Sequence, residues 1–264
     1  MNNFDYHRPA SVADAAKALG GASDGKLLAG GQSLLPTMRQ RLASPSDLID
    51  LGAIAELKGI KVEGDGITIG ATTTHAEVAA SADVKKAIPA LAVLAGGIGD
   101  RQVRHRGTIG GSLANNVPAA DYPAAALGLG ATIRTNKREI KADDYFKGLF
   151  ETALDEGEII TAVHFPKPEK AGYVKFDQPA SRFCLVGVFV AKTKAGTRVA
   201  ITGAGPGVFR SKELEAALGS NFSADAAKGV KVSANGLNSD LHGSPEYRAA
   251  LIPTLASRAV AGAS

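Results

Sequence analysis

The chain has 264 residues, of which 45% are hydrophobic and 21% charged, with a net charge of +4 and one cysteine. That is enough for a core and two or three small domains of ordinary globular composition, and no stretch approaches the ~18 consecutive apolar residues of a membrane helix. The lone thiol, Cys184 in the apolar run FCLVGVFV, excludes an internal disulfide, a structural cysteine–zinc site and a cysteine-held iron–sulfur cluster on this chain.

The first residues, MNNFDYHRPASV, lack an apolar signal core, so a cytoplasmic location is expected. Ser11, with Asp14 three residues on, caps a helix over VADAAKAL, and Gly20 and Gly21 stop it. KLLA (26–29) reads as a buried strand, GGQS as a loop, LLPTMRQRL as a short helix or connector, and DLIDL (47–51) as a second strand. IKVEGDGITIGA alternates as a hairpin with its turn at Asp65-Gly66. Thr74 and Glu77 form a capping box ahead of HAEVAAS, and DVKKAIPALAVLAGGI is a helix interrupted by Pro89.

RHRGTIGGSLANN reads as a glycine-rich loop, DYPAAALGL as a helix, ATIRT and REIKA as a strand pair, and residues 158–165 as a strand. PKPEKAG (166–172) has linker composition. Strands near 173–177, 184–193 and 197–203 follow, then the helix KELEAAL, as in a small α+β domain. Ser244-Pro245 opens a last helix, which Pro253 is expected to bend.

Two loops carry the chemistry. Ala29-Gly30-Gly31-Gln32-Ser33 lies between a strand and a helical turn. Glycines let backbone N–H groups approach a ligand, and such groups suit phosphate. Thr108-Ile109-Gly110-Gly111-Ser112, followed by two asparagines, repeats that chemistry. One such loop is more often a plain tight turn; two in one half of a chain fit the oxygens of a pyrophosphate held from both sides. The GxGxxG fingerprint, the GxxxxGK[ST] loop and the Gly-x-Ser-x-Gly elbow are all missing. The five histidines lack metal-ligand spacing and read as surface or strand residues. Basic charge is mostly scattered, with no tryptophan for base stacking, so no nucleic-acid partner is expected. Its one cluster, Arg101, Arg104, His105 and Arg106, is a solvated run, a counter-charge for a phosphate ligand, or a docking site for an acidic partner.

AGGQSLLPTM and RHRGTIGGSLANNVPAADYPAAALGLGA resemble the FAD-binding medium subunits of aerobic carbon monoxide dehydrogenases, within the wider xanthine dehydrogenase or molybdenum hydroxylase group. The likeness continues through KFDQPASRFCLVGVFVAK, VAITGAGPGVFR and LNSDLHGSPEYRA, so it spans nearly the whole chain. It implies an α+β fold: two FAD-binding subdomains of the vanillyl-alcohol-oxidase/PCMH type (1–55 and 56–167) and a small C-terminal α+β domain (168–264). It implies non-covalent FAD, its pyrophosphate held by Ala29, Gly30, Gly31, Gln32, Ser33 and Leu34 on one side and Thr108, Ile109, Gly110, Gly111 and Ser112 on the other. Asp121 would lie near FAD, the alternative being that it caps the helix YPAAALGL, and Ile160 and Lys175 match positions that line the flavin or adenine.

The same resemblance implies a molybdenum-binding large subunit and an iron–sulfur small subunit carrying two-iron–two-sulfur clusters, assembled as a dimer of heterotrimers. The chain would pass electrons and carry no catalytic acid, base or nucleophile of its own. The glycines of Gly96 to Arg106, which allow close backbone approach, and its arginines, which can meet acidic groups, make that segment the candidate docking surface for the iron–sulfur subunit. Gln32 stands where the group often has histidine, which removes an imidazole base or covalent flavin link, and Phe183 stands where it often has tyrosine. The competing readings are the flavoprotein of a related aldehyde or N-heterocycle dehydrogenase, a self-contained flavin oxidase, and, from the basic pI, a non-catalytic nucleotide- or nucleic-acid-binding module.

Overall fold

The computed structural model describes residues 1–264. Three sheets organise the chain. Asp5–His7, Asp47–Asp50 and Gly25–Leu28 form a small parallel sheet with Asp47–Asp50 in the middle, and the helix Val12–Gly21 packs on it through Ala15. Ser11 caps that helix by accepting from the Asp14 amide. The strand Asp5–His7 has no apolar alternation in DYH; pairing with Asp47–Asp50, and His7 Nε2 2.6 Å from Asp47 Oδ1, hold it in place.

The second sheet is antiparallel, in the order Ile60–Glu63, Gly66–Gly70, Ile160–Pro166, Thr132–Thr135, Glu139–Lys141. Its hairpin turns at Gly64-Asp65, one residue earlier than the expected Asp65-Gly66. Gly66 is already in the ladder, so close to the neighbouring strand that a Cβ there would overlap the Phe165 carbonyl. Between the strands run the helices His75–Ala80, Ala82–Ala87, Pro89–Gly96, Arg101–Arg106, Ile109–Asn115 and Tyr122–Leu129. Pro89 thus starts a helix at its first position rather than kinking a longer one. The segment RHRGTIGGSLANN, expected as loop, is mostly helix. Thr108 caps Ile109–Asn115 by accepting from the Gly111 amide, and Asn116 ends it in a left-handed conformation, its side-chain amide donating to the Gly148 and Glu151 carbonyls.

Lys170–Asp177, Cys184–Thr193, Gly196–Thr202 and Phe209–Arg210 make a third, antiparallel sheet. Lys212–Ser220, Ala224–Lys228 and the long helix Pro245–Ala261, which runs through Pro253 without a break, cover one face. Tyr122–Leu129 packs on the other, bringing Phe189, Ala191 and Ala200 into the largest core. This explains two sequence patterns. CLVGVFV (184–190) is apolar without alternation because both faces of its strand are covered, and every residue of YPAAALGL is buried because its helix lies between two sheets. No helix is long and apolar enough to cross a membrane.

Candidate functional site

Where the three sheets converge, a cleft of about 530 Å³ opens. The end of strand Gly25–Leu28 and residues 29–34 form one wall. Thr108, Gly110, Gly111 and Ser112 form the facing wall. His75, Ile98, Gly99, Asp121 and Ile160 close the depth, and Ser181, Arg182 and Phe183 reach it from the third sheet's hairpin.

The two glycine segments differ in what they offer. The amides of residues 29–34 donate to no protein acceptor, six in succession around a turn. Gly31 takes a left-handed conformation (φ +71°) that makes this turn, and Gln32 folds back to donate to the Gly30 carbonyl at 3.3 Å. Free successive N–H groups at a left-handed turn suit anionic oxygens. Across the cleft the first-turn amides are taken: Ile109 N donates to Thr73 O, Gly110 N to Ala71 O at 2.8 Å, and Gly111 N to the Thr108 hydroxyl. Ile109 itself is fully buried and does not line the cleft. This wall therefore presents the Ser112 hydroxyl and a bare backbone, not a second set of amides.

The glycines divide accordingly. A Cβ on Gly30 would stand 2.1 Å from the Arg106 carbonyl oxygen, and one on Gly110 would stand 2.7 Å from Ala71, so both mark backbone pressed on backbone. A Cβ on Gly111 meets the hydroxyl of its own cap, Thr108, at 2.9 Å and then only Ala29 at 3.8 Å. Gly111 faces the cleft.

Asp121 sits just before Tyr122–Leu129 but makes no capping hydrogen bond to it. Its carboxylate is buried, accepts from the Tyr173 hydroxyl at 2.6 Å and lies 3.1 Å from Lys175 Nζ. Burial holds the Asp121 carboxyl above the usual carboxylate range, opposed by the Lys175 ammonium and the Tyr173 hydroxyl. Lys175 does not line the cleft; its ammonium also donates to the Gly97 and Arg182 carbonyls. Cys184, behind Tyr173, is buried, and burial pushes its thiol up.

Sequence reasoning missed His75, expected at the surface or in a strand. It is buried at the start of its helix, lines the cleft, and has its ring centroid 5.3 Å from that of Tyr122. Its ring lies under Gly107, where a Cβ would come within 2.5 Å of Nε2, and only the fold brings these two positions together. Burial, then the nearby Arg104 charge, lowers its pKa from 6.5 to about 4. The unfolded imidazole therefore takes up a proton that the folded one resists. Stability is full above pH 6.5 and falls as pH drops toward 4, by roughly 3 kcal/mol in all. Urea midpoints at pH 7 and pH 5 check this: His75→Gln should flatten that part of the profile, and an unchanged slope would show another group to be responsible.

Arg104, expected on a docking face, is half-buried, and its guanidinium donates to the Ile98 and Gly99 carbonyls, while Arg101 and Arg106 are exposed. Arg104 thus braces the turn before its own helix.

Residues 2–168 match the family model described as the FAD binding domain in molybdopterin dehydrogenase. The chain is similar to the nicotine 6-hydroxylase medium subunit of Paenarthrobacter nicotinovorans, with 38% identity over 97% of this chain and 95% of the relative. It is also similar to the glyceraldehyde dehydrogenase medium chain of Sulfolobus acidocaldarius, with 34% identity over 97% and 96%. Among solved structures, carbon monoxide dehydrogenase from Hydrogenophaga pseudoflava superposes with a TM-score of 0.87 at 35% identity, covering 98% of this chain and 96% of that one.

Proposed function

The chain belongs to the FAD-binding domain family of molybdopterin dehydrogenases, as an FAD-binding medium subunit, and from that footing we propose that it is the electron-transfer flavoprotein of a molybdenum hydroxylase. The expected kinship and α+β fold class are borne out. Bound FAD would take electrons singly from two-iron–two-sulfur clusters on a small partner and discharge them in pairs to an external acceptor. The molybdenum cofactor would sit on a large partner, in a dimer of heterotrimers. Clusters on another chain accord with the presence of one buried cysteine here.

The observation that carries the reading is the run of six unpaired amides at residues 29–34, facing a wall with no side chain at Gly111. On this reading those amides, with the Ser33 and Ser112 hydroxyls, hold the pyrophosphate. Gly111 leaves room for it, Thr108 fixes the helix turn, and Ile109 and Gly110 seat that turn on the second sheet. Leu34 and Ile160 offer apolar wall. Asp121 accepts hydrogen bonds at the deep end, with Lys175 behind it. Gln32 offers no imidazole for a covalent link, so the flavin is held non-covalently. Residues 1–55 and 56–167 make the two halves of the cradle, and 168–264 close it. Relatives named for nicotine, carbon monoxide and glyceraldehyde stand at 38, 35 and 34% identity, and all three are named as medium subunits or chains.

The purified chain should show flavin absorption at one FAD per chain, all of it released by acid. Partner subunits plus their substrate should reduce that flavin. Reduction by an organic substrate with this chain alone would overturn the reading in favour of a self-contained oxidase.

A further inference from the structure

Lys175 lies on strand Lys170–Asp177 of the third sheet, with its side chain about 10% exposed. Its ammonium has three donors and three acceptors around it: Asp121 Oδ1 at 3.1 Å, Gly97 O at 2.9 Å and Arg182 O at 3.0 Å. These come from three separate stretches of chain. Asp121 precedes the buried helix Tyr122–Leu129, and Gly97 ends the helix Pro89–Gly96. Arg182 lies in the turn that joins strand Lys170–Asp177 to strand Cys184–Thr193.

That turn, residues 178–183, is internally tied: Gln178 N donates to Phe183 O at 2.9 Å and Arg182 N to Gln178 O at 2.7 Å. Arg182 has φ +60°, a conformation that an arginine keeps only where its surroundings hold it. A second tether runs from Arg182 Nη1 to Gly99 O at 3.2 Å. The turn's last three residues line the cleft, and Phe183, 60% exposed, supplies the one phenyl ring of that lining.

We propose that Lys175 is a positioning residue that latches the 178–183 turn across the mouth of the cleft, so that Phe183 shields the bound flavin and slows its escape. This rests on the FAD reading given above. Asp121 keeps the ammonium in place, and Gly97 O and Arg182 O are the two ends it joins. Without the ammonium, the one hydrogen bond left from the turn to the cradle is the exposed Arg182 tether.

The test uses the full chain, with FAD as the probe. Lys175→Met is expected to speed amide exchange across residues 178–183 of the apo chain, and FAD release from the loaded chain, each by about 10-fold, the scale of one lost charged hydrogen bond. Iodide should also quench the bound flavin's fluorescence more strongly; removing a cation lowers local iodide, so a rise reports opening. Lys175→Met leaves Asp121 buried without a counter-charge, which by itself threatens folding. The double variant Asp121→Asn/Lys175→Met removes both charges and should recover the melting temperature of the chain while keeping fast exchange in the turn and an accessible flavin.

A merely structural ion pair predicts that all readouts recover together, and that result overturns the latch. So does unchanged exchange at 178–183 in Lys175→Met. Failure of the unaltered chain to bind FAD would instead sink the functional reading, and the apo exchange measurement decides the latch in either case.

Discussion

Gly111→Val is expected to give a folded chain that no longer retains FAD. The new Cβ would crowd only the Thr108 hydroxyl, 2.9 Å away, with Ala29 next at 3.8 Å. Rotating that hydroxyl aside forfeits the cap it makes with the Gly111 amide, about 1 kcal/mol. The two methyl groups then occupy the space between the walls where the pyrophosphate is proposed to lie. FAD affinity should fall by roughly 100-fold or more, the scale of a steric clash against a held anion of ~3 kcal/mol. Equilibrium dialysis against FAD, with apo melting temperature as the folding control, measures both. Retained stoichiometric FAD would place the pyrophosphate elsewhere.

Gly30→Ala should do the opposite: it should damage the fold first. Its Cβ would sit 2.1 Å from the Arg106 carbonyl oxygen and 2.8 Å from the Gly107 Cα. Both are main-chain atoms, so no side-chain rotation relieves the overlap. Residues 29–34 and 106–107 must move apart. A loss of about 3 kcal/mol or more is expected from overpacking of this kind, read as a lower urea midpoint in the absence of FAD. If Gly30→Ala melts like the unaltered chain and only FAD binding suffers, Gly30 faces the ligand and the division of roles among these glycines is wrong. Measured together, the two variants separate a glycine kept for the ligand from a glycine kept for the protein.

Sequence reasoning treated the two glycine segments as equivalent, because both show small residues beside hydroxyls and both follow a boundary in the hydrophobic pattern. Local pattern reports which backbones are free to approach something. It does not report what they approach. At residues 29–34 the amides have no protein acceptor; at Ile109 and Gly110 they donate to the carbonyls of Thr73 and Ala71, 36 and 39 residues earlier in the chain. The same limit applies to charge. Arg104 stood in a basic cluster that suggested docking, yet it caps carbonyls five and six residues before it. Asp121 had the position of a helix cap and turned out to serve Tyr173 and Lys175, more than fifty residues away.

The sequence alone determined the α+β class, most strands and helices, the capping box at Thr74, the covered strand around Cys184 and the kinship through two glycine segments. Each of these is written in short-range period, capping chemistry or turn residues, which act within a few positions of chain. The tertiary structure decided which amides stay free, that Gly30 and Gly110 serve packing while Gly111 faces the cleft, that His75 is buried with its pKa lowered, and that Lys175 joins two distant stretches, at Gly97 and Asp121, to its own hairpin turn. Those properties depend on burial and on partners far apart in sequence, where low dielectric and close contact set the energies, and no local pattern encodes the distance between two such atoms.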